Sequence, residues 1–314
     1  MRVAVLGLGL IGGSVALALT EAGHEVIGHD ASERTREAAA AHFAVAADPA
    51  ALLDADAAVL AVPMDAMADC AAVFAPRRFG GIVTDVASIK GRVRAAFAGH
   101  RRFVGGHPMA GKATAGFGEA EPGLFRGRKW ALCLEEDTPL EDWAAVARLW
   151  LSVGAHVVPT THAAHDRAVA RVSHVEHLVA AALTLAADDP LSRTLAAGSF
   201  RDATRVAASP VRLTEGMVAN NRDEVLAALD ALGGELEAAR RLVDGRSREA
   251  GGAGEWLDRA RRLRESWPPE PGGAERVALD REPLLALGEA GGWIESVEGF
   301  AVATARRPRV KSTS

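Results

Sequence analysis

A histidine between glycines and a proline is the first candidate for chemistry in this chain. His107 lies in the stretch VGGHPMAG, residues 104–111. An imidazole changes its charge near neutral pH, so His107 is suited to accept or donate a proton. The alternative is a structural histidine that only caps a turn through backbone hydrogen bonds. Ser88, in TDVASIK, is a second candidate, and it would serve equally well as the N-cap of the next helix.

A second group of candidates lies on one predicted helix. The apolar periodicity of residues 161–187 predicts a single long helix. Ser173 and His177 are four residues apart and share a face, so both can point into one cleft. His174 lies about 100° away and is expected to be structural. The histidines of this segment do not form a metal-ligand pattern, and no metal is expected.

Three glycines near the N-terminus follow the spacing of a nucleotide-binding turn. RVAVLG is typical of a buried parallel strand, and GLGLIG places Gly7, Gly9 and Gly12 in the G-x-G-x-x-G pattern before a helix. The first glycine permits a tight turn, the second lets backbone approach a pyrophosphate, and the third lets helix and strand pack closely. We therefore expect a dinucleotide at the start of this helix, bound by the turn with Leu10 and Ile11.

An acidic residue ends the second predicted strand, EVIGHD. Asp30 lies eighteen positions after Gly12, where a carboxylate accepts hydrogen bonds from the adenine ribose and repels a 2′-phosphate. This position favours NAD over NADP as the cofactor. An N-cap role for Asp30 is the alternative, and it is weaker because Ser32 is available to cap the next helix.

The alternation of strand and helix continues beyond this point. Four further apolar runs are typical of buried strands: AAVLAVP, GGIVTDVAS, RFVGGHP and KWALCL. With the helical segments between them, they predict an α/β fold with a Rossmann-type, doubly wound parallel sheet. Ligands of such sheets bind beyond the carboxyl ends of the strands. Pro63, Ser88 and His107, each just past a predicted strand, are expected to line one crevice, with Pro63 on the cofactor.

Length and composition restrict the class of protein. The chain has 314 residues and a net charge of −5, which is typical of two globular domains and offers no basic surface for nucleic acid. The uncharged stretch 3–20 resembles a membrane span or signal peptide, but its glycines and the turn after it favour a strand and a buried helix, so no membrane is expected. Cys70 and Cys133 are expected to be core thiols in a reducing cytoplasm.

Five motifs over residues 1–245 together resemble those of the prephenate and arogenate dehydrogenases of tyrosine biosynthesis. They are GLGLIGGS, TDVASIK, GGHPMAG, HDRAVARVSHVEH and GSFRDATRVAAS. The resemblance implies a small-molecule substrate with a cyclohexadienyl ring. It implies an NAD-dependent oxidative decarboxylation, in which the ring loses a hydride and carbon dioxide and becomes aromatic.

The resemblance also implies roles for particular residues. His107 matches the family's histidine that takes the proton of the ring hydroxyl. Ser88 matches the serine that hydrogen-bonds near that histidine and the nicotinamide. Ser173 and His177 match residues that contact the substrate, His177 on its carboxylate side.

A loop further along the chain carries the expected carboxylate partner. Arg205, in FRDATR, matches the family's arginine for the substrate's side-chain carboxylate, which a planar guanidinium binds with two hydrogen bonds. Arg201 and Asp202 are expected to form a structural ion pair that positions this loop.

Two residues depart from the family pattern and bear on substrate choice. Lys112 stands close behind His107, where it would favour a dianionic substrate such as prephenate, and we assign it to substrate binding. Glu176 stands where relatives usually carry proline, and its carboxylate would favour the ammonium of arogenate. Because the family's serine and histidine on the long helix are both kept, we expect prephenate. Arogenate dehydrogenase is the alternative function.

Two further alternatives come from other classes. Another two-domain NAD oxidoreductase, such as a β-hydroxyacid dehydrogenase, would normally carry a catalytic lysine on the interdomain helix, and residues 161–187 contain none. A non-catalytic NAD-binding regulator would keep the glycines without Ser88, His107 and Arg205.

The chain divides into three predicted regions. Residues 1–160 form the NAD-binding domain, and residues 161–245 form an all-α domain, which by resemblance dimerises and makes the protein a homodimer. Residues 246–314 are a linker, GRSREAGGAGEW, followed by a small α/β tail with a basic helix and then strand, helix, strand, strand.

Overall fold

The computed structural model describes residues 1–112, 114–245, 252–299 and 301–309. The chain forms two compact units. The first unit contains residues 1–165 and 273–307, and the second contains residues 166–272 with 308 and 309. The first unit holds two β-sheets, and the second is helical.

The first sheet confirms the predicted Rossmann-type fold. Its strands are β1 Arg2–Leu6, β2 Glu25–His29, β3 Ala44–Val45, β4 Ala57–Leu60, β5 Ile82–Asp85 and β6 Phe103–Val104. The helices between them are α1 Leu10–Glu21, α2 Glu33–Ala39, α3 Met67–Val73 and α4 Lys90–Ala96. All strands run parallel in the order β3-β2-β1-β4-β5-β6, which is the order of dinucleotide-binding folds. β4 and β5 are buried throughout, because helices cover both faces of a parallel sheet.

A second, mixed sheet completes the first unit. Its strands are β7 Gly106–Pro108, β8 Lys129–Cys133, β9 His156–Thr160, β10 Glu275–Ala278, β11 Trp293–Glu298 and β12 Val302–Arg306, in the order β10-β12-β11-β9-β8-β7. Helix α5, Leu140–Ser152, contacts this sheet. The Trp150 ring of α5 stacks on Trp130 of β8 at a centroid distance of 3.9 Å, and both are fully buried.

This second sheet corrects one expectation from the sequence. The runs 102–108 and 129–134 were expected to continue the parallel sheet, but only β6 joins it. After Gly105 the chain enters β7, which pairs antiparallel with β8 at His107 and Ala131. An apolar run predicts that a strand is buried, but it does not specify the strand with which it pairs.

The second unit consists of helices. They are α6 His162–Val169, which begins in the first unit, α7 Val175–Ala186, α8 Pro190–Leu195, α9 Gly198–Thr204, α10 Val211–Asn220, α11 Arg222–Val243 and α12 Gly252–Glu265. The single helix expected over 161–187 is interrupted, since a π-helical turn, Ala170–His174, separates α6 from α7. A π turn inserts an extra residue, so it rotates the faces of α7 relative to an unbroken α-helix.

The second unit has a small core and a large exposed apolar surface. Ala170, Val175, Val225 and Ala228 form its buried cluster. Several large apolar side chains are at least 67% exposed: Leu185, Leu191, Leu195, Val211 and Val243. Surface of this kind is typical of association sites. Within the described residues, no helix is both long enough and apolar enough to cross a bilayer.

The tail folds as the predicted strand, helix, strand and strand, with α13 at Arg281–Glu289. β11 pairs with β9 at Ile294 and Val157, so the tail extends the second sheet. Gly288 lets α13 approach β9, because an added Cβ would lie 1.8 Å from the Pro159 carbonyl oxygen.

The two units divide the chain differently from the regions expected at 1–160, 161–245 and 246–314. The strands at 273–307 belong with residues 1–165, whereas α12 belongs to the second unit. The strand partner of the tail lies more than a hundred residues away, beyond the reach of local patterns. Part of the predicted linker, residues 246–251, lies outside the described residues, and the rest of it begins α12.

Candidate active site

The turn after β1 has the conformation that its glycines predict. Gly7 adopts a φ of +91°, and an added Cβ would lie 2.4 Å from the Ala61 carbonyl oxygen. At Gly12 an added Cβ would lie 1.9 Å from the Gly7 carbonyl oxygen, so α1 packs closely on this turn. At Gly9 an added Cβ would meet nothing within 4 Å. The backbone at Gly9 is therefore open to close approach by a ligand.

The start of α1 suits an anion. Gly9 is the N-cap of this helix, no side chain caps it, and its first turn holds no acidic residue. The first amides of a helix have no partner within the helix, and the helix dipole is positive at this end. The open Gly9 and the helix start at Leu10 and Ile11 therefore fit the pyrophosphate of NAD.

Asp30 ties the end of β2 to the glycine turn. One carboxylate oxygen accepts the Leu8 N–H at 2.7 Å, and the other accepts the Ser32 N–H at 2.9 Å. Ser32 is the N-cap of α2, through its hydroxyl oxygen and the Thr35 N–H. Asp30 is therefore not the helix cap, and its carboxylate stands beside the turn. Pro63, exposed, follows β4 and precedes a short 3₁₀ helix.

His107 is half-buried on β7. Its Nδ1 lies 2.9 Å from Nε2 of His165, and the two rings meet edge to face with centroids 5.1 Å apart. His165 is buried on the first turns of α6. This side-chain contact contradicts the alternative that His107 only caps a turn. Sequence reasoning gave His165 no role, although this residue opens the motif HDRAVARVSHVEH, because no spacing rule pairs two residues 58 positions apart.

A buried ion pair holds the residue before His107. Asp85 and Lys90 are in direct contact, and their side chains are 0% and 1% exposed. Lys90 Nζ donates to the Gly106 carbonyl oxygen at 2.6 Å, and the Gly106 N–H donates to Asp85 at 3.3 Å. Burial raises the pKa of the Asp85 carboxyl, and the Lys90 ammonium opposes this shift. Both backbone groups of Gly106 are thus held by one charge pair.

Ser88 lies half-buried between β5 and α4, within the loop that joins Asp85 to Lys90. The N-cap of α4 is Ile89, and no side chain caps that helix. The alternative that Ser88 serves as the N-cap is therefore wrong. Its hydroxyl lies on the loop between the two members of the buried pair, Asp85 and Lys90.

In the second unit, Ser173 and His177 are in contact. His177 Nδ1 lies 2.9 Å from the Ser173 carbonyl oxygen, to which it donates. Ser173 belongs to the π turn and His177 to α7, and both are half-buried. His174 is 1% exposed and contacts the Asn221 amide at 3.2 Å, in agreement with its predicted structural role.

Three exposed cationic residues complete the predicted set. Arg205 begins the 3₁₀ turn after α9 and is exposed. Arg201 pairs with Asp202 at 3.7 Å, as predicted, although both side chains are more than three-quarters exposed at 81% and 77%. Lys112 pairs with Glu121 at 3.0 Å and also donates to the Glu119 carbonyl oxygen. The charge of Lys112 is therefore already balanced within the protein.

The two cysteines lie in the core. Cys70 and Cys133 are buried thiols, as predicted. Burial raises the pKa of Cys70 to about 11, which keeps this thiol protonated at neutral pH. Across the described part of the chain, no three His, Cys, Asp or Glu side chains are grouped as a metal site requires.

Comparison with known protein families identifies the family of this chain. The model of the prephenate dehydrogenase nucleotide-binding domain matches residues 15–159, and that of the prephenate dehydrogenase dimerization domain matches residues 161–257. The chain belongs to the prephenate dehydrogenase family. This membership decides against a β-hydroxyacid dehydrogenase. Together with the NAD⁺ complex of a relative, it supports an NAD-dependent oxidoreductase rather than a non-catalytic regulator. The helical unit is the family's dimerisation domain.

Individual relatives agree with this assignment. Prephenate dehydrogenase of Bacillus subtilis is 30% identical over 259 residues, which cover 76% of this chain and 69% of the relative. Arogenate dehydrogenase of Synechocystis superposes with a TM-score of 0.70 at 30% identity, over 85% of this chain and 97% of that one. Prephenate dehydrogenase of Aquifex aeolicus, solved with hydroxyphenyl propionate and NAD⁺, superposes with a TM-score of 0.75 at 25% identity, over 85% and 96%.

Proposed function

We propose that the chain oxidises prephenate with NAD, releasing carbon dioxide and forming 4-hydroxyphenylpyruvate. The observation that carries the proposal is the fixed position of His107. The backbone before it is held by the buried Asp85–Lys90 pair, and its ring is held by His165. A proton acceptor held in place by the fold is what oxidation of a ring hydroxyl requires.

NAD, when bound, supplies the hydride acceptor. The ring carbon gives up its hydrogen with the bonding electrons, while His107 takes the proton of the hydroxyl on that carbon, which becomes a carbonyl. The bond to the ring carboxylate then breaks and carbon dioxide leaves. The electron pair of the broken bond stays with the ring and makes it aromatic. His107 then returns the proton to the resulting phenolate oxygen. No further reactant is needed to balance these steps.

Three side chains are proposed to bind the substrate, and a fourth, Ser88, is proposed to support the catalytic groups. Ser88 stands on the loop next to the buried pair, where its hydroxyl supports His107 and the nicotinamide. Ser173 and His177 contact the substrate, and the Nδ1 bond of His177 leaves its lone pair on Nε2. Arg205 binds the side-chain carboxylate, for which its exposed guanidinium is suited.

The assignment of Arg205 to the substrate's side-chain carboxylate can be tested with a matched control on the same loop. Arg205→Ala is expected to raise KM for prephenate, since a charge-assisted contact of about 1.5–3 kcal/mol is lost. Arg201→Ala removes a neighbouring guanidinium whose pair with Asp202 is exposed. Such a pair contributes only about 0–1 kcal/mol, so the loop is expected to keep its place and KM to stay unchanged. Equal effects of the two variants contradict the assignment.

The decisive experiment measures NADH formation by the purified protein with NAD and either prephenate or arogenate. We expect kcat/KM to be about tenfold or more higher for prephenate, which corresponds to about 1.4 kcal/mol. A preference for arogenate overturns the substrate. No NADH with either compound overturns the function.

Glu176 provides the test of arogenate as the second candidate. Its carboxylate is exposed on α7. A substrate ammonium would therefore contact it only in the presence of solvent. Lys112, paired with Glu121, opposes an ammonium less than an unpaired lysine would. Exposed charge pairs contribute about 0–1 kcal/mol. We therefore expect Glu176→Gln to change the substrate ratio little; loss of an arogenate preference in this variant would assign Glu176 to the amine.

We also propose that the protein is a cytoplasmic homodimer. The exposed leucines and valines of the second unit support association through its dimerisation domain. The two buried cysteine thiols fit a reducing compartment. Light scattering of the purified protein tests the dimer, and a monomer at micromolar concentration overturns it.

A further inference from the structure

The contact between His107 and His165 bears on which ring nitrogen of each histidine carries a proton. Two ring nitrogens 2.9 Å apart, Nδ1 of His107 and Nε2 of His165, are at hydrogen-bond distance. Such a contact needs one nitrogen that carries a proton and one that offers a lone pair. Each neutral imidazole has one of each. The direction of this hydrogen bond therefore fixes which nitrogen of His107 is basic.

We propose that His165 is a positioning residue that holds His107 as its Nδ1–H tautomer. In this arrangement Nδ1 of His107 donates to Nε2 of His165, and the lone pair of His107 lies on Nε2. That nitrogen is then the one that takes the hydroxyl proton of the substrate. The inference rests on the proposed function, in which His107 is the proton acceptor.

The same bond also stabilises the product of proton transfer. Once His107 has taken the proton, its imidazolium still donates from Nδ1 to His165, and the bond becomes charge-assisted. A neutral His165 is the partner that this requires. A second proton on the pair would place two cations about 3 Å apart, which is unfavourable.

His165 is held rigidly enough for this role. It lies at the start of α6, where its own N–H donates to the Thr161 carbonyl oxygen at 2.9 Å. One turn before it, a carboxylate oxygen of Glu135 accepts the His162 N–H at 2.6 Å and contacts His162 Nδ1 at 2.9 Å. Arg281 of the tail donates to the carbonyl oxygen of Glu135. The tail thereby supports the first turn of the helix that carries His165.

Two substitutions separate positioning from packing. His165→Leu keeps an apolar body of similar size but removes the acceptor, and it is expected to lower kcat about tenfold to a hundredfold, the usual loss for an orienting partner. KM and NAD affinity are expected to stay unchanged. His165→Gln places an amide oxygen near the position of Nε2 and is expected to restore most of the turnover.

His100→Leu is the matched control. His100 is also buried in the first unit, at 9% exposure against 4% for His165, and its loss is expected to leave kcat unchanged. A fall in kcat equal to that of His165→Leu, or no rescue by His165→Gln, would show that His165 acts only through packing and would overturn the proposal.

The tautomer is read directly by ¹⁵N NMR of the histidine-labelled protein without substrate, with His107→Asn to assign the signals. We expect a pyrrole-like Nδ1 and a pyridine-like Nε2 for His107, and a mixture of tautomers in His165→Leu. An Nε2–H tautomer in the wild type overturns the proposal whether or not the enzyme is active. An Nδ1–H tautomer in a protein that oxidises neither prephenate nor arogenate refutes the proposed function instead.

Discussion

The nucleotide turn after β1 and the histidine strand β7 lie in the same unit but are built by different means. The turn depends on backbone conformation within a short stretch of chain. Gly7 takes a left-handed φ, Gly9 leaves open space, and the bond from Asp30 to Leu8 spans 22 residues. We expect the cofactor to meet main-chain groups there.

The histidine strand depends instead on side-chain contacts, and the partner of His107 is distant in sequence. Asp85 at the end of β5 and Lys90 at the start of α4 hold Gly106, and His165 reaches His107 across 58 residues. The cost of burying two charges is offset only while both are present. We therefore expect cofactor binding to depend on a local property of this chain, whereas the orientation of His107 depends on several side chains at once.

The largest expected effect is a loss of turnover without a loss of NAD affinity, which distinguishes the histidine strand from the nucleotide turn. His107→Asn is expected to lower turnover by about 10²–10⁴, the usual contribution of a positioned acid or base. NAD affinity is expected to be almost unchanged, because the nucleotide turn does not depend on His107. Steady-state kinetics and NAD titration check this. Near-normal turnover would remove His107 from the mechanism.

Breaking the support of β7 is expected to affect the fold. Lys90→Met leaves the Asp85 carboxylate buried without its partner and is expected to cost about 3–5 kcal/mol of unfolding free energy. Denaturant unfolding measures the loss.

The double variant Asp85→Asn with Lys90→Met is the control for this loss. It removes both charges and is expected to recover much of the stability. Unchanged stability in Lys90→Met alone would mean that the buried pair does not hold the strand.

The nucleotide turn is expected to show the opposite behaviour, in which binding changes and the fold does not. Gly9→Ala adds a methyl group where the structure has open space, so stability should hold. NAD binding is expected to weaken by about 1–3 kcal/mol, because the methyl meets the approaching ligand. Calorimetric titration measures the affinity.

Gly12→Ala is the matched control in the same turn. An added Cβ there would lie 1.9 Å from the Gly7 carbonyl oxygen, so this variant is expected to destabilise the fold. If Gly9→Ala destabilises the protein as much as Gly12→Ala, the two glycines do not have separate roles.

The smallest effect concerns a lysine of the second sheet that is only half-buried. Lys129 Nζ lies 3.1 Å from the centroid of the Trp293 ring, and burial lowers the pKa of Lys129 from 10.5 to about 8. Between these values the unfolded chain binds more protons than the folded one, so stability rises with pH over this window.

Lys129→Met is expected to remove that rise. The difference in unfolding free energy between wild type and variant should stay constant below about pH 8 and then shift in favour of the wild type up to pH 10. Urea unfolding at several pH values measures it. A difference that does not change with pH would show that Lys129 is solvated like an ordinary surface lysine.

Local chemistry in the sequence was sufficient for much of the first unit. The order of strands and helices, the glycine turn with Asp30 beside it and the capping of α2 by Ser32 follow from interactions within a few tens of residues. Glycine conformation, helix capping and apolar periodicity act over that distance. The family motifs added the proposed roles of His107 and Arg205.

Contacts between distant segments settled the rest. An apolar run has the same pattern in either sheet, so the sequence did not show that β7 leaves the parallel sheet or that the tail joins β9. The π turn before α7 likewise departs from a periodicity that predicts an unbroken helix. His165 acquires its importance only when the chain folds back on itself, because the hydrogen-bond partner of His107 is chosen by packing rather than by spacing. The Asp85–Lys90 pair is closer in sequence, but packing places it against Gly106 of the second sheet.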